Sequence, residues 1–141
     1  MPQNYARITP YLLYEDVAGA LDWLANAFGF RERLRFPAPD GSISHAEMEL
    51  GDGLIMLGDP GSDYRNPARL GGATHLVHVY VDDVDEHFER ALEAGATILS
   101  EPADQPYGDR RYDAEDPEGH RWSFAQHVRE VAPEDWGAAR A

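Results

Sequence analysis

A short, largely apolar run from Ile8 to Tyr14 gives way to helical spacing at Val17, Ala20, Leu21, Leu24 and Phe28. The pattern predicts a strand running into an amphipathic helix. Asp16 sits where a carboxylate accepts hydrogen bonds from the free N–H groups of a helix start, and Gly29 suits the helix exit. Three more strands follow at about Glu32 to Phe36, Ser42 to Leu50 and Leu54 to Gly58. Pro37-Ala38-Pro39-Asp40-Gly41 and Gly51-Asp52-Gly53 supply the turns between them. The same succession then returns. His75 to Val81 is a strand, Asp83 a cap, and Val84, Phe88, Ala91 and Leu92 a buried stripe ending at Gly95. Strands follow at about Thr97 to Leu99, Arg110 to Glu115 and Arg121 to His127, with Asp116-Pro117-Glu118-Gly119 as a tight turn before the last.

An offset of 67 positions brings the halves into register without a gap: Glu15-Asp16-Val17 falls on Asp82-Asp83-Val84, Gly41 on Gly108, and Gly51-Asp52-Gly53 on Glu118-Gly119-His120. A repeat of this kind governs architecture before any motif does. It predicts an α+β fold in one domain over 1–141, made of two tandem βαβββ modules at 7–59 and 74–128. A Gly- and Pro-rich linker at 60–73 joins them, and a tail follows at 129–141. In the tail, Pro133-Glu134-Asp135 fits the first turn of a short helix. Trp136 is either a packing anchor or an interface residue.

Composition narrows the function classes. A chain of 141 residues holds material for one hydrophobic core. It has no cysteine, so disulfides, thiolate metal sites and a Cys nucleophile are excluded together. The net charge of −14 and pI near 4.6 argue against nucleic acid as a partner. That acidity either draws cationic ligands or serves only solubility. No apolar run approaches the roughly 20 residues needed to cross a bilayer. The start, MPQNYARITPYLL, reads poorly as a signal peptide. The expectation is a cytoplasmic protein with no membrane partner.

The pieces YLLYEDVAGALDWLANAFGF, HAEMELGDGLIML, VYVDDVDEHFERALEAGA and QPYGDRRYDAEDPEGHRWSFAQH, in that order, resemble the vicinal oxygen chelate superfamily, and its glyoxalase and bleomycin-resistance branch in particular. The resemblance covers about Arg7 to Val128. It implies an incomplete eight-stranded barrel around a cleft and a homodimer. In metal-dependent members it also implies four His or Glu ligands, from the first, fourth, fifth and eighth strands. Carried over residue by residue, those positions are Thr9, Met56, Leu76 and Ser123. Met and Leu cannot replace carboxylate or imidazole around a hard or borderline cation, so the expectation is no metal and no other cofactor.

Alternation along the strands then places Tyr11 and Leu13, His78 and Tyr80, His45 and Glu47, and Arg121 and Ser123 on the cleft side. The offset sends His45 onto Tyr112, adding it to the lining. The expected ligand-binding set is therefore Thr9, Tyr11, His45, Glu47, Met56, Leu76, His78, Tyr80, Tyr112, Arg121 and Ser123. An aromatic and apolar lining with a few polar groups suits a small organic molecule. The leading reading is sequestration of such a molecule, a cationic natural product or antibiotic among the possibilities. The alternatives are a lyase or isomerase using His78 and Glu47 without metal, a dioxygenase-like enzyme with a metal relocated to His45, Glu47, His78 and His127, and a purely structural or regulatory dimer.

Overall fold

In the computed structural model, which describes residues 1–141, each helix begins where a carboxylate caps it. Asp16 accepts from the Gly19 N–H at 3.0 Å, and Asp83 from the Glu86 N–H at 3.1 Å. Two units emerge: Met1–Ala73 with Pro117–His120, and Thr74–Asp116 with Arg121–Ala141.

The first unit carries β1 (Tyr11–Leu13), α1 (Val17–Phe28), β2 (Arg31–Pro37), β3 (Ile43–Leu50), β4 (Gly53–Gly58) and the short helix α2 (Pro67–Leu70). Its sheet order is β1-β4-β3-β2, with β1 parallel to β4 and the other pairs antiparallel. The second unit carries β5 (Leu76–Tyr80), α3 (Val84–Glu93), β6 (Thr97–Asp104), β7 (Asp109–Glu115) and β8 (Arg121–His127) in the matching order β5-β8-β7-β6. The predicted tandem βαβββ arrangement is the one observed. A 3-10 turn at Pro133–Trp136 occupies the tail. No helix is long and apolar enough to cross a membrane.

Each sheet buries one face. In the first unit Leu12, Ala46, Met48, Ile55 and Leu57 are buried together with Val17, Leu21, Leu24 and Phe28 of α1. In the second, Tyr112, Ala114, Trp122 and Phe124 are buried with Val84 and Ala91. Large apolar side chains of this kind contribute about 1.5–3 kcal/mol each. Leu92, expected in the α3 stripe, is 49% exposed. The stripe runs through Val84, His87, Phe88 and Ala91, and one further residue turns the side chain off that face.

β1 is shorter than the strand expected from Ile8 to Tyr14. Pro10 has no N–H to give, so the ladder opens with the Pro10 carbonyl accepting from Met56 N–H at 2.9 Å, and Thr9 lies before it. β6 runs on to Asp104, with irregular pairing between Ile98 and Ala103. The linker is not structureless, because Asn66 caps α2 through the Arg69 N–H at 3.0 Å.

The gapless offset is the main correction. Tyr11 pairs with Met56 and His78 with Ser123, so β1/β5 and β4/β8 keep the offset of 67. Glu47 also pairs with Met56, whereas Ser123 pairs with Asp113, an offset of 66 for β3/β7. β2/β6 follow suit up to Ser100, since Leu34 faces Glu47 and Ser100 faces Asp113, and return to 67 past the irregular stretch, where Phe36 faces His45 and Ala103 faces Arg111. One residue is lost between cap and exit of α3, whose exit glycine, Gly95, lies 66 after Gly29. It is regained in the turn between β7 and β8.

That turn belongs to the first unit. The Glu118 carboxylate accepts from the N–H groups of Glu15 at 2.7 Å and Asp16 at 3.0 Å. Gly119 has φ +89°, and a Cβ there would stand 2.6 Å from the Ala68 backbone N. Both the conformation and the space demand glycine.

Candidate functional site

Opposite the helix-covered side, the first unit leaves a sheet face on which Tyr11 is 49% exposed. Alternation on β3 puts His45 and Glu47 on this face while Ala46 and Met48 enter the core. The Tyr11 hydroxyl lies 2.7 Å from His45 Nδ1, and His45 Nε2 lies 3.2 Å from Glu47 Oε2. Glu47 is buried, at 4% exposure. A carboxylate only accepts, so His45 Nε2 carries the hydrogen and Nδ1 receives the Tyr11 O–H. On its other side Glu47 Oε1 accepts from the Tyr5 hydroxyl at 2.8 Å, with Arg33 Nε 3.9 Å away. That hydrogen bond, with burial, raises the Tyr5 pKa. The Arg33 guanidinium stands 4.5 Å over the Tyr5 ring and donates to the Asn4 carbonyl at 2.9 Å. Beside this network opens a groove of about 630 Å³ lined by Tyr5, Arg33, Glu49 and Leu54 among others.

The open face of the second unit has its own network. Asp109, 2% exposed, accepts from the Tyr80 hydroxyl at 2.8 Å and bonds His127 Nδ1 at 2.8 Å. His127 Nε2 reaches Glu130 at 2.9 Å. Asp109, then Glu130, raise the His127 pKa by favouring the charged ring. Asp109 likewise holds the proton on Tyr80, aided by burial. The His78 ring packs edge-on to Tyr80 at 4.9 Å. Arg121 pairs with Glu115 at 3.3 Å, and Arg111 with Asp113 at 3.1 Å. Ser123 is fully buried, and its hydroxyl has no hydrogen-bond partner.

Of the residues expected in the site, Tyr11, His45 and Glu47 form one chain, and Met56 lies across the ladder from Tyr11 and Glu47. Leu76, His78, Tyr80, Arg121 and Ser123 share the alternation that faces away from α3. Tyr112 does not join them. It is buried, stacks on Phe124 at 5.4 Å, and its hydroxyl lies 2.6 Å from His87 Nδ1 of α3. Burial pushes its pKa well up. The one-residue slip is the reason: it reverses every side chain of β7, so Arg111 is the counterpart of His45 and Asp113 of Glu47. Glu47 is partnered by His45, Tyr5 and Arg33 in the first unit, whereas His78 lies in the second.

Sequence reasoning missed Tyr5, Arg33, Asp109, Arg111 and Asp113. The last two were readable from the spacing of Gly29 and Gly95. Tyr5 precedes the first strand and carries no periodic signal.

The four carried-over metal positions do not fit a metal. Within the first unit Thr9 and Met56 supply a hydroxyl and a thioether, and within the second Leu76 supplies nothing and Ser123 a buried hydroxyl. No group of three or more His, Asp or Glu side chains is placed to hold an ion elsewhere.

The family model described as Glyoxalase/Bleomycin resistance protein/Dioxygenase superfamily matches residues 5–124. The chain is 40% identical to the uncharacterized protein Mb0911c of Mycobacterium bovis over 137 residues, covering 94% of this chain and 90% of that protein. It is similar to the crystal structure of TioX from Micromonospora sp. ML1, at a TM-score of 0.73 and 41% identity over 88% of this chain and 100% of that one. A glyoxalase/bleomycin resistance protein/dioxygenase from Nocardioides shares the fold, at a TM-score of 0.67 and 21% identity over 92% of this chain and 88% of that one.

Proposed function

The chain belongs to the Glyoxalase/Bleomycin resistance protein/Dioxygenase superfamily, and on that premise we propose that it binds and sequesters a small organic molecule without a metal. The carrying observation is an exposed phenol with a fixed hydroxyl on the open sheet face of each unit. Tyr11 is held by His45 and Tyr80 by Asp109, and the two residues are 49% and 61% exposed. Rings held in place offer stacking area at little entropic cost on binding. Beside Tyr11 in the first unit, Met56 and Leu13 add apolar contact, and the acidic surface favours a cationic ligand, a natural product or antibiotic of that kind being the class proposed. A cytoplasmic homodimer is the proposed form.

A metal-free lyase or isomerase is the second reading, and one observation favours it: the buried Glu47 carboxylate orients the His45 ring. Calorimetry against a panel of aromatic and cationic natural products, with and without Zn, Ni, Mn and Fe, separates the readings. Sequestration requires micromolar or tighter binding independent of metal, weakened about 10-fold by Tyr11→Ala, which corresponds to roughly 1.4 kcal/mol. Binding only with metal, or turnover of the bound compound, overturns it.

A further inference from the structure

We infer that Tyr11 is a reactive phenol, activated by His45 and Glu47 to attack hard electrophiles such as acyl and sulfonyl centres. Three observations meet at its oxygen. First, the order of groups is nucleophile, base and orienting acid. Tyr11 Oη is 2.7 Å from His45 Nδ1, His45 Nε2 is 3.2 Å from Glu47, and Glu47 is kept from water at 4% exposure. That is the logic by which a base activates a hydroxyl, with a third group fixing the tautomer of the base.

Second, the phenol lies across β4 at Gly58, where no side chain stands in its way. A Cβ on Gly58 would stand 2.6 Å from Tyr11 Cε1 and 2.8 Å from its Oη, and Gly58 pairs across the ladder with His45. Glycine at this position is what lets the ring reach the imidazole. Third, Tyr11 is 49% exposed, so an electrophile reaches it without opening the fold.

In the reaction, Tyr11 Oη bonds to the acyl carbon or sulfonyl sulfur and its proton passes to His45 Nδ1. The leaving group departs with the bonding pair, and Glu47 faces the imidazolium so formed. Atoms and charge balance with no redox partner and no metal. The proposal goes beyond ligand binding and does not depend on it.

The second unit supplies an internal control. Tyr80 is more exposed, at 61%, and its hydroxyl is equally fixed, but it donates to the Asp109 carboxylate, which raises its pKa.

The test is labelling of the full chain with an aryl sulfonyl fluoride, with the rate at each of the seven tyrosines read by peptide mass spectrometry. Tyr11 is expected to label at least ~10-fold faster than Tyr80, a modest share of what a positioned base contributes. His45→Gln removes the base. Gly58→Ala keeps all three residues and displaces the phenol. Each variant is expected to bring Tyr11 to the Tyr80 rate while the other tyrosines label as before and circular dichroism is unchanged. Should His45→Gln fail to fold, Gly58→Ala decides. Tyr11 labelling no faster than Tyr80, or undiminished in a folded variant, overturns the proposal. A ligand panel without a hit leaves this result untouched, because labelling requires no bound ligand.

Discussion

The two open sheet faces use the same three kinds of group in different order. In the first unit the phenol of Tyr11 meets an imidazole, His45, which meets a carboxylate, Glu47. In the second the phenol of Tyr80 meets the carboxylate of Asp109 directly, and the imidazole of His127 meets that carboxylate from another side. An imidazole with a free lone pair can take the proton of a phenol. On the second face no imidazole stands between the phenol and the acid, so the Asp109 carboxylate favours Tyr80 and His127 protonated, and the pKa values of both are raised accordingly. Order, not composition, separates a face able to move a proton from one that holds its protons in place.

The largest effect that breaks this comparison is Asp109→Ala. It leaves the Tyr80 hydroxyl and the His127 ring without their shared buried acceptor and is expected to cost about 2–3 kcal/mol, seen as a lower urea midpoint at unchanged slope. A gain of stability from Asp109→Ala would mean that the carboxylate is a burden rather than a hub.

Ser123→Ala is expected to act in the opposite direction. Its buried hydroxyl has no partner, so removing it stabilises by about 1 kcal/mol, read from the same midpoint. A loss of that size would reveal a hydrogen bond formed in solution.

A smaller effect is tied to pH. The folded His127 pKa is raised above its ordinary 6.5. Its contribution is therefore complete below that value and lost as pH climbs through the folded pKa. Wild type should lose thermal stability relative to His127→Gln as the pH climbs above the ordinary histidine value of about 6.5, and parallel Tm curves would mean that the Asp109–His127 contact contributes nothing to stability.

The smallest effect is that of Gly58→Ala on stability, a few tenths of a kcal/mol by denaturation. The backbone there needs no positive φ, and the obstructing atoms are the movable end of Tyr11. A large loss would make Gly58 a packing residue and blur its contrast with Ala125, which pairs with Arg111 as Gly58 pairs with His45.

Much of this was legible in the chain itself. β8 was readable to the residue because its alternation is strong and Gly119 marks its approach. Asp16 and Asp83 announced both helices, since a cap needs only local backbone geometry. His45 and Glu47 were readable as neighbours on one face, being two apart on a strand. Tyr112 was misplaced because a single residue dropped within α3 and restored in the turn after β7 leaves the overall offset intact. The face that β7 turns inward is nonetheless reversed between those points.

The repeated strand and helix pattern, its caps and turns, and the unsuitability of Thr9, Met56, Leu76 and Ser123 as metal ligands are all written in the residues themselves. These follow from residue type and short-range spacing, which carry local backbone preference and donor chemistry directly. Which groups touch is a matter of the folded chain. That Tyr5 and Arg33 close over Glu47, that Tyr11 crosses Gly58 to reach His45, and that Asp109 gathers Tyr80 and His127 all depend on strands distant in sequence being paired in one register. Register is set by the packing of whole sheet faces, which no short window of the chain contains.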